Sequence, residues 1–311
     1  MCIRDRANLY RFEAIIKNTG ISTQNATLNA DVYDGGGVAV FSGVSSSNSL
    51  TMSEQDTFAS STTFTPTTIG TYSFDMYSSS PATTSSITTL SSIVTDTVYG
   101  RDFDNPSGSW VVARNCGGMV LGVDYDVYVT DTLTSVSAYI ADYSVPGATM
   151  YGALYEEDWS SGGSQKIYLD QTDDYTITST DLNNWVTISF NNPIILNPGI
   201  TYVMAIGGYA HPIDTFGINT SGDAQSATCW IQDNGCFNQG NFGDWYYTTQ
   251  IPMIRMNLGD AISPSWDCNS QGGCYDPGTG NGQYSSLAAC QANCVNPTSY
   301  SYNHQGKYKQ P

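Results

Sequence analysis

The chain has 311 residues, and its 28 acidic and 10 basic side chains give a formal net charge of −18 at pH 7. The basic residues are scattered singly, which argues against a nucleic acid partner, because a phosphate backbone needs clustered Lys and Arg. No apolar run approaches the length that a transmembrane segment requires. The acidity, together with 22 Tyr and 30 Gly, is typical of a secreted all-β protein with a solvated acidic surface.

Both ends of the chain are expected to be truncated. Residues 1–6, MCIRDR, look like a translated adapter remnant from environmental sequencing, so we discount Cys2 as evidence. No signal region with a positive and then an apolar stretch opens the chain, and residues 298–311 read as a polar tail. We interpret the chain as part of a longer multidomain protein whose export signal lies outside it.

Residues 7–92 alternate short β-branched and aromatic runs with turn clusters such as NTG, DGGG and SSSNS. Runs such as YRFEAIIKN, ATLNADVYD and GTYSFDMYS have the spacing of strands in an antiparallel sandwich. The stretch FEAIIKNTGISTQNATLNADVYD resembles bacterial cell-adhesion-related, immunoglobulin-like modules. That resemblance implies an Ig-like β-sandwich that acts in adhesion or as a spacer.

A Ser/Thr-rich stretch from Ser78 to Ser92 is too polar to add much to a core, and we interpret it as a domain boundary. Residues 93–259 then carry aromatic and β-branched runs, among them LGVDYDVYV, WVTISF and ITYVMAIGGYA, without an amphipathic helix between them. This pattern predicts two packed antiparallel sheets, a larger jelly-roll sandwich that buries its own core.

Four of the eight cysteines lie in residues 260–297, with the spacing C-x5-C-x15-C-x3-C. The segment has too little apolar surface for a core, so we predict that disulfides hold it and that the compartment is oxidising. Ser285-Ser286 before LAACQANC indicates an N-capped short helix. Pairing of Cys268 and Cys274 with the helix cysteines, Cys290 and Cys294, is favoured among three connectivities. A zinc site is the alternative, although its ligands usually have closer spacing at both ends.

The remaining cysteines are harder to place. Cys229 and Cys236 flank the loop WIQDNG, and the sequence predicts a loop-closing disulfide between them. Cys116 has no evident partner. Neither feature bears directly on activity.

Several stretches of the middle unit resemble secreted proteins of the Bacteroidota. They are DTVYGRDF, YGALYEEDW, the run from DQTDDYTIT to GITYVMAIGGY, and WYYTTQIPMIRMNLG. The pattern CxxxxxCxDPGTGxGxYSSLxACQxxC resembles a small repeat found in the same setting. In those proteins such modules precede a type IX sorting domain, so the resemblance implies secretion and cell-surface attachment.

Jelly rolls on secreted bacterial proteins often bind polysaccharides, by stacking flat aromatic rings on sugars and hydrogen-bonding their hydroxyls. The candidate ligand-binding residues are Trp159, Trp230, Trp245 and Tyr246, which lie in or beside predicted loops. Each has an alternative role as a packing residue. Packing is favoured for Trp185, within the strand WVTISF, and Trp110 lies between the two cases.

The turn RDFDNPSG offers Asp102, Asp104 and Asn105 as oxygen ligands, which makes a structural calcium ion a weak candidate. The turn lacks the Gly and the bidentate Glu of an EF-hand loop, and such clusters are common turn chemistry. No other cofactor is indicated.

Catalysis is not predicted. The chain has two histidines, which does not suit an HExxH metallohydrolase or a histidine triad, and no GxSxG elbow occurs. His211, beside Pro212, is interpreted as a turn residue. Carboxylates such as Glu157 suit a glycosidase in principle, but acidic residues occur throughout the chain.

Two functions therefore remain open. In the first, the chain is a non-catalytic adhesion or carbohydrate-binding region of a secreted bacterial surface protein. In the second, it is a passive accessory or spacer region of a secreted peptidase or glycoside hydrolase whose catalytic domain lies outside this sequence.

Overall fold

The computed structural model describes residues 2–5, 9–115, 117–160, 162–235, 243–259, 266–268, 273–275 and 283–294. The chain divides into two compact units, Met1–Gly259 and Asp260–Pro311, and each is described by itself. The described residues form 25 strands and one helix, so the predicted all-β fold class is confirmed.

The elements follow one another along the chain with short connections. They are β1 (Cys2–Asp5), β2 (Glu13–Lys17), β3 (Gln24–Tyr33), β4 (Ala39–Val44), β5 (Asn48–Leu50), β6 (Gln55–Ala59), β7 (Gly70–Ser79), β8 (Thr88–Thr95), β9 (Val98–Gly100), β10 (Gly108–Val111), β11 (Ala113–Arg114), β12 (Gly117–Asp126), β13 (Asp131–Tyr139), β14 (Thr149–Asp158), β15 (Gln165–Gln171), β16 (Tyr175–Thr176), β17 (Trp185–Leu196), β18 (Thr201–Gly208), β19 (Gly217–Asp223), β20 (Cys229–Asp233), β21 (Trp245–Tyr247), β22 (Gln250–Pro252), β23 (Ile254–Leu258), β24 (Asp267–Cys268), β25 (Cys274–Tyr275) and α1 (Leu287–Asn293).

The N-terminal sandwich is built mainly from β3, β4, β7 and β8, which belong to a ten-stranded sheet, and from the β2–β6 pair. Its core is aromatic. Tyr10, Phe12, Phe64 and Phe74 are buried and their rings contact one another at centroid distances of 5.0 to 6.1 Å. The strand pattern predicted for this region therefore produces the expected small β-sandwich.

The predicted linker from Ser78 to Ser92 is wrong in part. β7 continues to Ser79, and β8 spans Thr88–Thr95 and pairs with it antiparallel, so the predicted boundary at residue 92 falls inside a strand. The linker was predicted from the polar composition of this stretch. A strand with one solvated face also tolerates Ser and Thr, so the composition does not exclude strands here. β1, within the residues interpreted as an adapter remnant, pairs parallel with β8 and antiparallel with β9.

The larger sandwich packs part of the ten-stranded sheet against an eight-stranded sheet. The first layer has the order β17-β13-β23-β9, and the second has the order β15-β14-β18-β12-β20-β21. Alternate residues face the shared core, as in β18, where Tyr202, Met204 and Ile206 belong to the main buried cluster. Val203 and Ala205 belong to a second cluster on the opposite face of the same sheet. This opposite face carries the candidate site.

The C-terminal unit confirms the prediction made from cysteine spacing. Disulfides join Cys268 to Cys294 and Cys274 to Cys290, which ties the β24–β25 pair to α1. Ser286 caps the helix and accepts a hydrogen bond from the amide of Ala289. Because these four sulfurs are bonded to one another, none is a thiolate able to bind zinc.

The predicted disulfide between Cys229 and Cys236 is wrong. Cys229 is an unbonded, fully buried thiol in the main core, and Cys236 lies outside the described residues, as does Cys116. Burial raises the pKa of Cys229 to about 12. The sequence analysis places Cys229 at the end of a predicted loop. In the fold, Cys229 belongs to β20 and its side chain faces the core, where it behaves as a small apolar residue.

Candidate functional site

The outer face of the eight-stranded sheet is unusually rich in aromatic and charged side chains. It is formed by the strand positions that alternate with core positions. In β12, Val120 and Asp124 lie on this face, whereas Leu121 and Val123 face the core. In β20, Trp230 lies on the outer face between the core residues Cys229 and Ile231.

The outer face is concave, because side chains from strands on opposite sides of its middle meet above the sheet. The rings of Tyr155 in β14 and Trp245 in β21 lie 5.1 Å apart in an edge-to-face contact. Four strand steps separate β14 from β21, a distance of about 19 Å on a flat sheet. Small residues line the middle of the face, and a Cβ on Gly207 would lie 2.1 Å from the Tyr151 ring. A side chain there would therefore displace this ring.

A lysine–indole contact lies at the centre of the concave face. The Lys166 ammonium lies 3.3 Å from the centroid of the Trp230 ring. The same ammonium donates to Glu157 Oε1 at 2.5 Å, and both side chains are almost completely buried. The hydroxyl of Ser164 also contacts the ammonium. The indole Nε1–H of Trp230 donates to Asp124 Oδ1 at 2.7 Å. These contacts fix the orientation of both the cation and the ring.

Burial controls the electrostatics of this cluster. Desolvation raises the pKa of Asp124 to about 7, although the hydrogen bond from Trp230 and the charge of Lys166 act in the opposite direction. Desolvation also lowers the pKa of Lys166, partly offset by its hydrogen bond with Glu157. The cluster thus contains a carboxyl group that changes charge near neutral pH.

A polar pocket of about 410 Å³ adjoins the cluster. Its lining comes from the start of β15, from β20 and from the approach to β21. The lining residues are Ser164, Gln165, Lys166, Gln232, Gly243, Asp244, Trp245 and Tyr246. One wall offers an aromatic ring and the others offer amide, hydroxyl and carboxylate groups. This combination suits a polyhydroxylated ligand, which needs an apolar platform and many hydrogen-bond partners.

Three of the four predicted ligand-binding aromatics lie at or beside the pocket. Trp245 and Tyr246 line it, and Tyr246 is 38% exposed. Trp230 lies under Lys166 and is buried, so its role is to support the cluster. Trp159 follows β14 in the connection to β15, is 54% exposed and does not line the pocket.

Further tyrosines extend the concave face away from the pocket. Tyr168 is opposite Tyr155 in the β14–β15 pair, and their rings lie 5.8 Å apart. Tyr151 and Tyr209 form another ring contact at 5.2 Å. Burial and the hydrogen bond that the Tyr209 hydroxyl donates to Asp174 raise the pKa of Tyr209 to about 12. Tyr168 and Tyr209 are about half exposed, so a longer ligand has aromatic surface available beyond the pocket.

The turn that was predicted as a calcium site binds an arginine side chain. Arg255 donates to both oxygens of the buried Asp102, from Nε at 2.8 Å and from Nη2 at 2.6 Å, and its Nη2 also donates to Asp104 at 2.8 Å. Asn105 contributes backbone groups to hydrogen bonds with the Ser221 hydroxyl. The guanidinium pairs with both carboxylates, so the two charged ligands proposed for calcium already have a cationic partner. No local pattern indicates this partner, because Arg255 is 151 residues distant from Asp104.

Trp185 has the packing role that the sequence favours. The Arg255 guanidinium carbon lies 3.9 Å from the Trp185 ring centroid, and Tyr139 contacts the same ring edge-to-face at 5.4 Å. Trp110 packs against the main core, and its Nε1–H is buried without a hydrogen-bond partner. His211 is a turn residue as predicted, with Nδ1 accepting from the amide of Asp214 at 2.8 Å.

A larger cavity of about 530 Å³ lies between the N-terminal strands and the larger sandwich. Its lining includes apolar side chains such as Phe12, Phe74, Leu90 and Phe103. None of the predicted ligand-binding residues lines it. The smaller pocket is the better candidate for a polyhydroxylated ligand, because its lining is predominantly polar and includes Trp245.

Sequence reasoning missed Asp124, Lys166 and Gln232. Two signals were present. Asp124 interrupts the apolar run MVLGVDYDVYV at an outward-facing position, and Lys166 is one of only 10 basic residues in the chain. Neither signal indicates that β15 and β20, four strands apart in the sheet, bring these residues together.

Comparison with known proteins finds no matching family model and no matching curated sequence. Among solved structures, the chain is similar to the N-terminal CBM22-1-CBM22-2 tandem domain from Paenibacillus barcinonensis Xyn10C. The identity is 11% over 73% of this chain and 79% of that chain, with a TM-score of 0.27. A second similar structure, of carbohydrate-binding modules from the β-sandwich superfamily, has 14% identity over 69% of this chain and 96% of that chain, with a TM-score of 0.22.

These superpositions are too loose to carry an argument about function. Within the described residues, no helix has the length and apolar character to span a membrane.

Proposed function

We propose that this chain is a non-catalytic carbohydrate-binding region of a secreted or surface-attached protein, and that it binds a neutral polysaccharide on the concave face. The observation that carries the proposal is the polar pocket of about 410 Å³ beside Trp245. Its volume is within the range of small-molecule sites, and its lining pairs one aromatic wall with hydrogen-bonding side chains.

Aromatic and polar groups have separate tasks in such a site. The Trp245 ring, held edge-to-face by Tyr155, offers a fixed surface on which a pyranose ring stacks. Gln165, Gln232 and Asp244 line the same pocket and offer donors and acceptors for sugar hydroxyls. Because Tyr155 holds Trp245, little side-chain entropy is lost on binding.

The charge distribution favours a neutral glycan over an anionic one. The Lys166 ammonium is bound to Glu157 and packed on Trp230, so it is not offered to a carboxylate or sulfate on the ligand. Asp244 adds a negative group to the lining, and the whole chain has a formal charge of −18. An anionic polymer is therefore repelled at long range and finds no accessible cation in the pocket.

The wider role belongs to the same proposal. The two disulfides of the C-terminal unit favour an oxidising, extracytoplasmic location. In that location a glycan-binding sandwich holds its parent protein on a polysaccharide or on a glycan-covered surface. Adhesion and delivery of an attached hydrolase are the two uses of such binding, and both depend on the same pocket.

The test is affinity electrophoresis of the full chain in gels that contain soluble polysaccharides. Neutral polymers such as mixed-linkage β-glucan, xylan and mannan are compared with alginate and polygalacturonate. We expect at least one neutral polymer to retard the protein, and we expect Trp245→Ala to weaken binding about tenfold or more, which corresponds to about 1.4 kcal/mol.

Trp159→Ala is the matched control, because it removes the same side chain from an exposed position outside the pocket. It is expected to retain binding. Thermal melts show whether each variant is folded. Absence of retardation across the panel contradicts the proposal and favours the passive spacer role. Equal loss in both variants contradicts a site at this pocket.

A further inference from the structure

We propose that Lys166 and Glu157 become joined by an amide bond, which forms spontaneously within the folded chain and cross-links β14 to β15. The two residues are direct partners in the antiparallel pair of these strands. The Lys166 ammonium donates to Glu157 Oε1 at 2.5 Å. This buried ion pair is the reactant state, and the cross-link is the product of its dehydration.

The reacting atoms are already close together. A nitrogen that donates to a carboxylate oxygen at 2.5 Å lies about 3–3.5 Å from the carboxylate carbon, the separation from which bond formation begins. The contact between the ammonium and the Trp230 ring, at 3.3 Å, restricts the movement of the lysine. The side chains of Lys166 and Glu157 are 0% and 4% exposed, so bulk water does not separate them.

Burial also provides a driving force for the reaction. Two opposite charges removed from water lose hydration that their mutual attraction offsets only in part. Burial lowers the pKa of Lys166, which favours the neutral amine, the form of lysine that attacks a carbonyl carbon. An amide carries no charge, so the cross-link removes the desolvation cost of both groups. Because both groups belong to one folded chain, little translational entropy is lost.

The atoms and protons of the step balance without a cofactor or an oxidant. One proton passes from the Lys166 ammonium to the Glu157 carboxylate, which leaves a neutral amine and a neutral acid. The lone pair of Nζ then forms the Nζ–Cδ bond, and the Cδ–Oε2 bond breaks. Oε2 leaves as water with two of the three ammonium protons, and the third proton stays on the amide nitrogen.

The Ser164 hydroxyl assists the attack. It donates to Glu157 Oε1 at 2.6 Å, and negative charge develops on this oxygen when the nitrogen adds to the carbon. Glu157 Oε2 accepts no hydrogen bond from a described residue. The environment of the carboxylate therefore distinguishes the oxygen that stays from the oxygen that leaves.

Asp124 carries the protons. It is a second carboxyl group whose charge acts on Lys166, and it also interacts with Glu157. Its Oδ1 accepts from the Trp230 indole, which leaves Oδ2 for a proton. Burial raises the pKa of Asp124 to about 7, so near neutral pH this group both accepts and donates protons. It takes a proton from Nζ, gives one to the leaving oxygen and ends the reaction unchanged.

The cross-link fixes one wall of the polar pocket. Ser164 and Lys166 line this pocket, and β15 is a terminal strand of the eight-stranded sheet, held on one side only. The reaction takes place once per chain and turns over no substrate, so it is compatible with a non-catalytic binding role. It does not depend on glycan binding, and its test is therefore independent of the test of that function.

The experiment is intact-mass spectrometry of the purified full chain with its disulfides reduced, followed by peptide mapping. We expect a mass lower than that of the sequence by one water. Trypsin does not cleave at an acylated lysine, so we expect one peptide of residues 115–255 in place of peptides 115–166 and 167–255. Fragmentation of a shorter digest is expected to place the bond between Lys166 and Glu157.

Three variants separate the roles of the groups. Lys166→Arg keeps the positive charge but has no amine, and we expect it to have the full mass of its sequence. Lys17→Arg is the matched control, because Lys17 is an exposed lysine of β2, and it is expected to retain the loss of water. Asp124→Asn keeps both linked residues and is expected to slow amide formation about a hundredfold or more.

A mass without loss of water, even after the wild-type protein has been incubated for days at neutral pH, overturns the proposal. A loss of water that persists in Lys166→Arg, or a bond from Lys166 to another carboxyl group, also overturns it. Amide formation at the wild-type rate in Asp124→Asn overturns the proton transfer by Asp124. Circular dichroism shows whether each variant is folded.

Discussion

The larger sandwich carries the same chemical arrangement on each of its two outer faces. On one face, Lys166 packs on Trp230 and pairs with Glu157. On the other, Arg255 packs on Trp185 and pairs with Asp102. Each site thus combines a cation, an indole ring and a carboxylate.

The two sites differ in how completely the cation is used. Arg255 meets Asp102 through two parallel hydrogen bonds and also binds Asp104, so its Nε and Nη2 groups are both engaged. Lys166 is a compact charge, and the polar pocket lies beside it. We infer that the arginine site is a structural contact that holds the Asp102 turn, whereas the lysine site supports one wall of an open pocket. Sequence composition alone does not distinguish these roles.

The largest expected effect comes from removing the arginine. Arg255→Met leaves the fully buried Asp102 carboxylate without its cation, and an uncompensated buried charge costs about 3–5 kcal/mol. Urea unfolding at pH 7 measures the loss. The double variant Arg255→Met with Asp102→Asn is expected to recover part of it. A loss below about 1 kcal/mol for the single variant contradicts a structural role for this pair.

The next effect is a pH dependence at the lysine site. The pKa of Asp124 is about 7 in the folded protein and near 3.8 when unperturbed, so the folded state holds the proton more tightly. The contribution of this group to stability is therefore full below about pH 4 and declines as the pH rises through about 7.

The size of that decline is at most about 4 kcal/mol. Asp124→Asn keeps an oxygen acceptor for the Trp230 indole but cannot ionise. Its free energy of unfolding, relative to the wild type, is expected to rise between pH 4 and 7 and then level off. Urea unfolding at several pH values measures this difference. A flat difference contradicts a raised pKa at Asp124.

A smaller effect tests the geometry of the arginine. Arg255→Lys keeps the charge but removes the two-point contact with Asp102, and we expect a loss of about 1–2 kcal/mol. Thermal or urea unfolding detects it. If Lys at this position is as stable as Arg, the bidentate geometry does not matter and the two faces are more alike than we infer.

The smallest effect concerns Asp104. Its side chain is 58% exposed, so its pair with Arg255 is screened by solvent. Asp104→Asn is expected to change the free energy of unfolding by less than about 1 kcal/mol, and Asn also tolerates the positive φ of 57° at this position. A larger loss indicates that both carboxylates are needed to hold Arg255.

The sequence predictions succeed where the local pattern of one segment is read correctly, and they fail where a strand is mistaken for a loop or where the partner lies on a distant strand. The helix cap at Ser286 and the pairing of Cys268 and Cys274 with the helix cysteines are predicted, because a helix places Cys290 and Cys294 on one side within a short segment. Which cysteine pairs with which is decided by the fold. The Cys229–Cys236 prediction fails because it assumed a loop where the chain forms β20. The pairing of Arg255 with the carboxylates of the predicted calcium turn is not predicted, because Arg255 is distant in sequence.

The sequence by itself determines the all-β character, the division of strands by turn residues, the presence of disulfides between the helix of the C-terminal unit and the segment before it, and most of the aromatic residues of the candidate site. These depend on local periodicity and on the chemistry of neighbouring residues. Only the tertiary structure decides that Trp245 meets Tyr155, that Lys166 packs on Trp230 and that Arg255 pairs with Asp102. The physical reason is that these partners lie on strands brought together by sheet order and curvature, which the pattern along a single strand does not specify.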